Sequence, residues 1–285
     1  MTEGRVLCAA LDGTGLHRMA YTDWGDRDNP KVLICVHGLT RNGRDFDYLA
    51  RQLSREYRVV CPDVVGRGRS DWLKKRSSYG FPQYVADMVT LIARLDVPEV
   101  HWLGTSMGGL IGMFMAALER SPVTRLILND VGPVITNESL RRIGEYLGKA
   151  PRFASLEEAE KFIRFVSAPF GKLSDAQWRH LTETSVRQAD DGQWDMRYDP
   201  GIAEPFQMGF VMHQDVILWP YYDAIRCPTL VIRGADSDLL PREALDEMAR
   251  RGPRAWTREI PEVGHAPMFQ DPAQVAVVRE FLLGT

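Results

Sequence analysis

A chain of 285 residues, 45% hydrophobic and 26% charged, is long enough to bury a substantial core, as one α/β domain with an insertion or as two small domains. Its 35 Lys and Arg against 38 Asp and Glu leave a formal net charge of -3, which offers no polybasic face to nucleic acid or anionic lipid. The N-terminal Met1 to Leu7 stretch is too polar for a signal peptide and the longest apolar segment, near Leu110 to Leu118, is far short of a bilayer span, so the expectation is a soluble cytoplasmic protein without nucleic-acid or membrane partners.

In chain order, Leu16 to Tyr21, Lys31 to Val36 and Tyr57 to Cys61 read as strands, the first entered from the turn signals Asp12-Gly13 and Thr14-Gly15 of a hairpin, so the sheet begins antiparallel. Helices from about Asp45 to Leu53 and from Pro82 to Leu95 alternate with a strand at Val100, a helix after Ser106 and a strand from Thr124 to Leu128. Such alternation predicts a mainly parallel sheet covered by helices on both faces. Between Pro133 and about Asp215 no strand-like run appears, and Ser155-x-x-Glu158 and Ser174-x-x-Gln177 have the spacing of capping boxes that open amphipathic helices. This inserted helical segment carries Phe153, Phe162, Phe165, Phe170, Trp178, Trp194, Phe206, Met208, Phe210 and Met212, apolar groups that either line a ligand pocket or dock the segment on the sheet. The alternation resumes with a strand from Thr229 to Arg233, a helix from Arg242, a strand near Trp256 to Ile260 and a last helix from Pro272. Cys8, Cys35, Cys61 and Cys227 show no C-x-x-C spacing, and neither a disulfide framework nor a zinc site is expected.

The chemistry centres on Gly104-Thr105-Ser106-Met107-Gly108, a G-x-S-x-G pentapeptide between the strand-like Val100 to Leu103 and an apolar helix. A tight strand-to-helix turn strains the nucleophile's backbone, leaves room only for small residues two positions to either side, and aims the amide of Met107 at a developing oxyanion. Ser106 needs a base. Of the six histidines, His265 stands in a loop between the last strand and the last helix, which a parallel sheet delivers to the same edge as the serine. His37 precedes Gly38 in an oxyanion-type turn, while His17, His101, His180 and His213 lack a comparable setting. A carboxylate must fix the imidazole's tautomer, and both Asp130, after the strand ending at Asn129, and Asp238, beyond the following strand, stand where they could reach it.

These residues resemble the α/β-hydrolase superfamily over nearly the whole chain: His37-Gly38-Leu39-Thr40 is similar to its oxyanion loop, Asp63-Val64-Val65-Gly66-Arg67-Gly68-Arg69-Ser70 to its D-x-x-G-x-G-x-S turn, Gly104 to Gly109 to its elbow, and Gly264-His265 completes the order. The resemblance implies a core domain of residues 1–133 and 216–285, a helical cap of 134–215, and Leu39 as second oxyanion donor beside Met107. It implies that the 63–70 turn is structural, held by its own polar side chains. In many members the acid falls three residues after the glycine that ends the later strand, which is Ser237 here, with Asp238 one beyond. Others, including some dehalogenases and a group of small esterases, place it where Asp130 stands, and in that esterase group a serine in the later loop supports the histidine. We therefore place Asp130 ahead of Asp238, with Asp236 behind both.

A serine at the elbow argues against dehalogenase and epoxide-hydrolase chemistry, which needs a carboxylate nucleophile. The reading is a serine hydrolase that cleaves a small carboxylic ester, thioester or lactone through an acyl-enzyme, a reaction that requires no metal or organic cofactor. The expected partner is that small molecule, and a homo-oligomer remains open. The rivals are a carbon-carbon hydrolase, disfavoured by Thr105 and Ala266 where the ring-fission enzymes usually carry asparagine and tryptophan, a perhydrolase, and a ligand receptor built on the same pocket.

Overall fold

The computed structural model describes residues 1–207 and 214–284, without the side chains of Phe206 and Gln207. The elements run β1 (Thr2–Ala9), β2 (Leu16–Trp24), β3 (Val32–Val36), α1 (Asp47–Leu53), β4 (Arg58–Pro62), α2 (Phe81–Leu95), β5 (Val100–Thr105), α3 (Met107–Ala116) and β6 (Val123–Asn129). An inserted stretch follows, with β7 (Val134–Ile135), α4 (Asn137–Tyr146), β8 (Arg152–Phe153), α5 (Leu156–Val166), α6 (Asp175–Ser185), β9 (Val186–Gln188), β10 (Trp194–Met196), α7 (Glu204–Gln207) and β11 (Val216–Ile217). The chain closes with α8 (Trp219–Ala224), β12 (Thr229–Gly234), α9 (Arg242–Met248), β13 (Trp256–Ile260) and α10 (Pro272–Leu283).

Eight strands form one sheet in the order β1-β2-β4-β3-β5-β6-β12-β13; β1, β2 and β4 pair antiparallel and every pairing from β4 to β13 is parallel. Parallel strands are buried on both faces, and alternate residues of β3 show it: Val32, Ile34 and Val36 join the core beneath α2, α3, α8 and α9, while Leu33 and Cys35 join the core beneath α1 and α10. From β3 the chain winds outward to β4, then crosses back to β5 on the other side. The carboxyl ends of β3 and β5 therefore flank the point where strand order reverses, the usual position of a site in such sheets.

The insert departs from the all-helical reading. It contains a three-stranded ribbon, β8-β10-β9, and the pair β7–β11, which registers Val216 with Ile135 and ties the segment's two ends together. Strands of two or three residues are too short for a period-two pattern, so the sequence carried no signal for them. Ser174 and Gln177 form a complete capping box; the Ser155 hydroxyl accepts from the amide of Glu158, whose carboxylate instead accepts from Ala154. Phe153 and Trp178 pack with Ala159, Ile163, Leu181 and Val186 of the insert and with Met268 of the loop before α10, and Phe165 is exposed. Those three belong to packing or solvent. The Phe206 side chain, Met208, Phe210, Met212 and His213 lie outside the described residues. Among the described residues no helix is long and apolar enough to cross a membrane.

Candidate active site

Ser106 sits between β5 and α3 with φ 53° and ψ -117°, a strained conformation for a side-chain-bearing residue that costs about 1–3 kcal/mol. The turn tolerates it because the flanking backbone closes to contact. A Cβ on Gly104 would stand 2.1 Å from the Gly108 carbonyl oxygen, and one on Gly108 would stand 2.0 Å from that of Val36. The strain turns the serine hydroxyl out of the sheet edge, where it lies 3.0 Å from His265 Nε2. As the first residue of α3, Met107 has no intrahelical partner for its amide.

His265 reaches the serine from the loop between β13 and α10. That loop is pinned by the Gly264 amide donating to Pro169 in the insert (2.7 Å) and by Asn129 Nδ2 donating to the Pro267 carbonyl (2.8 Å). Its Nδ1 lies 2.7 Å from Asp130 Oδ2. Asp130 is fully buried, and its other oxygen accepts from the Gly234 amide at 2.9 Å while Ser237 Oγ donates to Oδ2 at 2.7 Å. Three donors compensate the buried carboxylate and keep it an acceptor, so Nδ1 carries the imidazole proton and Nε2 faces Ser106 with its lone pair. Ser237 thus donates to the Asp130 carboxylate and not to His265, the partner that the resemblance implies for it. Asp238 is not brought to the site. Its side chain is more than half exposed and pairs with Arg142 on α4, because the turn that buries Ser237 points the next residue outward. Asp236 is likewise exposed.

The loop after β3 is held by His37. Burial, and secondarily the charges of Arg67 and Arg41, push this imidazole down to about 3, so it is neutral at ordinary pH. Its Nε2 accepts from the Val64 amide (2.9 Å), leaving Nδ1 to donate to the Gly38 carbonyl (2.7 Å). The carbonyl of Gly38 and the amide of Leu39 belong to one trans peptide and point oppositely, so this bond also sets the direction of the Leu39 amide. Gly38 lies against the serine, its would-be Cβ 3.8 Å from that of Ser106.

A pH dependence follows. Between its ordinary value of 6.5 and about 3, unfolded His37 binds a proton that folded His37 does not, so the unfolded state gains as pH falls through that window. Stability should decline on acidification by up to about 1.4 kcal/mol per pH unit from this group alone. Urea unfolding of the wild type and His37→Asn at pH 7, 6 and 5 should show a shallower slope in the variant; identical slopes would mean that His37 does not titrate this way.

The insert covers this edge. Arg41 Nη1 donates to Ser185 Oγ, Asn42 to the Thr184 carbonyl and Gln177 to the Gln270 carbonyl, so α6 rests on the loops that carry Leu39 and His265. Of the other histidines, His101 on β5 meets Tyr57, His180 meets Asp47, and His17 lies buried against Asp87. Spacing gave no hint that Cys8, facing His17 across β1 and β2, forms with it and Asp87 a buried trio whose ligand-type atoms lie within 4.8 Å of one another. Long-range pairing brings them together on β1, β2 and α2, elements that carry none of the groups above.

A family model described as the alpha/beta hydrolase fold matches residues 31–272. A 3-hydroxybutyrate-oligomer hydrolase of Cupriavidus necator is 51% identical over 99% of this chain and 97% of its own length. Among solved structures, a Rickettsia typhi chain superposes with TM-score 0.93 at 31% identity over 100% of both chains, and an alpha/beta hydrolase from Novosphingobium aromaticivorans with TM-score 0.86 at 33% identity over 99% of each. Sheet order, the serine turn and these likenesses agree: the chain belongs to the α/β-hydrolase fold family and is a hydrolase.

Proposed function

We propose that the chain is a serine ester hydrolase whose substrates are short linear hydroxyalkanoate esters of the 3-hydroxybutyrate type, with residues 134–215 as a cap over the site. The observation that carries the mechanism is the unbroken line of hydrogen bonds from buried Asp130 through His265 to the hydroxyl of Ser106 on its strained turn. Ser106 Oγ adds to the ester carbonyl while His265 Nε2 takes its proton, and the amides of Leu39 and Met107 bind the oxyanion. Collapse breaks the acyl–oxygen bond, and His265 returns the proton to the departing alkoxide, leaving an acyl-serine. Water then adds with His265 again as base, releasing the acid and restoring Ser106. The substrate class is supported by the Cupriavidus necator relative, which is similar over almost the full length of both chains.

The test is to incubate the protein with 3-hydroxybutyrate dimer and trimer, with 4-nitrophenyl acetate as a generic ester, and in parallel with a fluorophosphonate. Stoichiometric labelling of Ser106 together with release of 3-hydroxybutyrate monomer is the expected result. Cleavage of the generic ester alone would refute the substrate class. Labelling of Ser106 without turnover of any ester would favour a receptor that retains the hydrolase site.

A further inference from the structure

Arg67 lies in the 63–70 turn, yet of its side-chain bonds only the one to the Val65 carbonyl stays within that turn. The turn is closed by others: Asp63 accepts from the amides of Gly43 and Arg69, and Ser70 Oγ donates to the Asp63 carbonyl. Arg67 instead runs inward, with no exposed surface, toward the serine elbow. Its Nε donates to the Leu39 carbonyl at 2.8 Å, Nη1 donates to the Val65 carbonyl at 2.8 Å and to Tyr84 Oη at 3.0 Å, and Nη2 lies 3.6 Å from Met107 Sδ. The rings of Tyr79 and Tyr84 flank the guanidinium at 5.7 and 5.1 Å. Among the described residues every one of these partners is neutral. The buried carboxylate of Asp199 lies beyond Tyr79 and is itself engaged by the Tyr79 hydroxyl and the Gly201 amide.

One guanidinium therefore touches both residues whose amides serve the oxyanion in the mechanism above, and it is a buried cation without a direct counter-ion. Burying a charge in this way is costly, and a neutral side chain of similar length would fill the same space without that cost. The cost is offset where a negative charge arrives, since a fixed positive charge in a dry surrounding acts far more strongly on a developing oxyanion than it would in water. We propose that Arg67 is a positioning residue of the oxyanion site, holding Leu39 through its carbonyl and Met107 through its side chain while its charge complements the oxyanion. With His37 on the preceding carbonyl, Leu39 is clamped on both peptides that flank it. This inference rests on the esterase reading.

Arg67→Met removes the charge at nearly constant length, Arg67→Gln keeps a donor without the charge, and Arg67→Lys keeps the charge without the fork. With 4-nitrophenyl acetate, the neutral variants should lose about 10- to 100-fold in kcat with KM within about twofold of wild type, less than is lost with an oxyanion donor itself. Arg67→Lys should recover part of that loss. Wild-type kcat in either folded neutral variant, or a fall in unfolding temperature with kcat unchanged, would make Arg67 a packing residue and overturn the proposal. Arg67→Gln serves if Arg67→Met does not fold. Fluorophosphonate labelling separates the two failures: a wild type that neither labels at Ser106 nor turns over ester refutes the esterase reading, whereas a competent wild type with equally competent variants refutes only the role of Arg67.

Discussion

Ser106→Ala is expected to lower ester hydrolysis by on the order of a thousandfold or more while leaving the unfolding temperature unchanged. The hydroxyl oxygen is the only heavy atom removed. Within the fold it makes one described hydrogen bond, to His265, and the backbone at φ 53° is as strained for alanine as for serine. Loss of the nucleophile should therefore appear in kcat and not in folding. Purified Ser106→Ala that kept more than a trace of 4-nitrophenyl acetate hydrolysis would show that another group attacks the ester.

The second large effect concerns the acid. Asp130→Asn should cost on the order of a thousandfold or more in kcat, because the amide cannot stabilise the imidazolium and can present an N–H to Nδ1, which would shift the imidazole proton to Nε2. The Gly234 and Ser237 donors, both aimed at carboxylate oxygens, would disfavour that substitution further and lower stability. Asp238→Asn should be near wild type in rate and in stability, since its pairing with Arg142 is solvent-exposed. Assaying both variants at pH 7 to 8 distinguishes the two acids. A nearly inactive Asp238→Asn beside a nearly normal Asp130→Asn would reverse the assignment.

The sheet was legible because buried parallel strands write themselves as short apolar runs and because glycine is obligatory where Gly104 and Gly108 meet backbone oxygen. His265 was legible for a topological reason: whatever follows the last strand of a parallel sheet arrives at the serine's edge. The choice between Asp130 and Asp238 was not decidable from the residues alone, since both follow strands that end at that edge. Side-chain direction separates them, and direction depends on a left-handed backbone at Asp130, φ 55°, and on a turn that buries Ser237 and exposes its neighbour. Arg67 was hidden for a related reason. In sequence it is one polar residue in a polar turn, and only the fold shows that its guanidinium ends among Leu39, Tyr84 and Met107.

Thr105 pairs with Asn129 in the register of β5 and β6, and the Ser106 amide donates to the Asn129 carbonyl at 3.0 Å. The strand residues just before Ser106 and Asp130 are thus bolted side by side in the centre of the sheet. His265 rides on the connection between β13 and α10, fastened to the insert through Pro169 and Gln177 and to β6 through Asn129. A connection held by a few bonds opens more readily than paired central strands, so warming should disturb the position of His265 before it changes the spacing of Ser106 and Asp130.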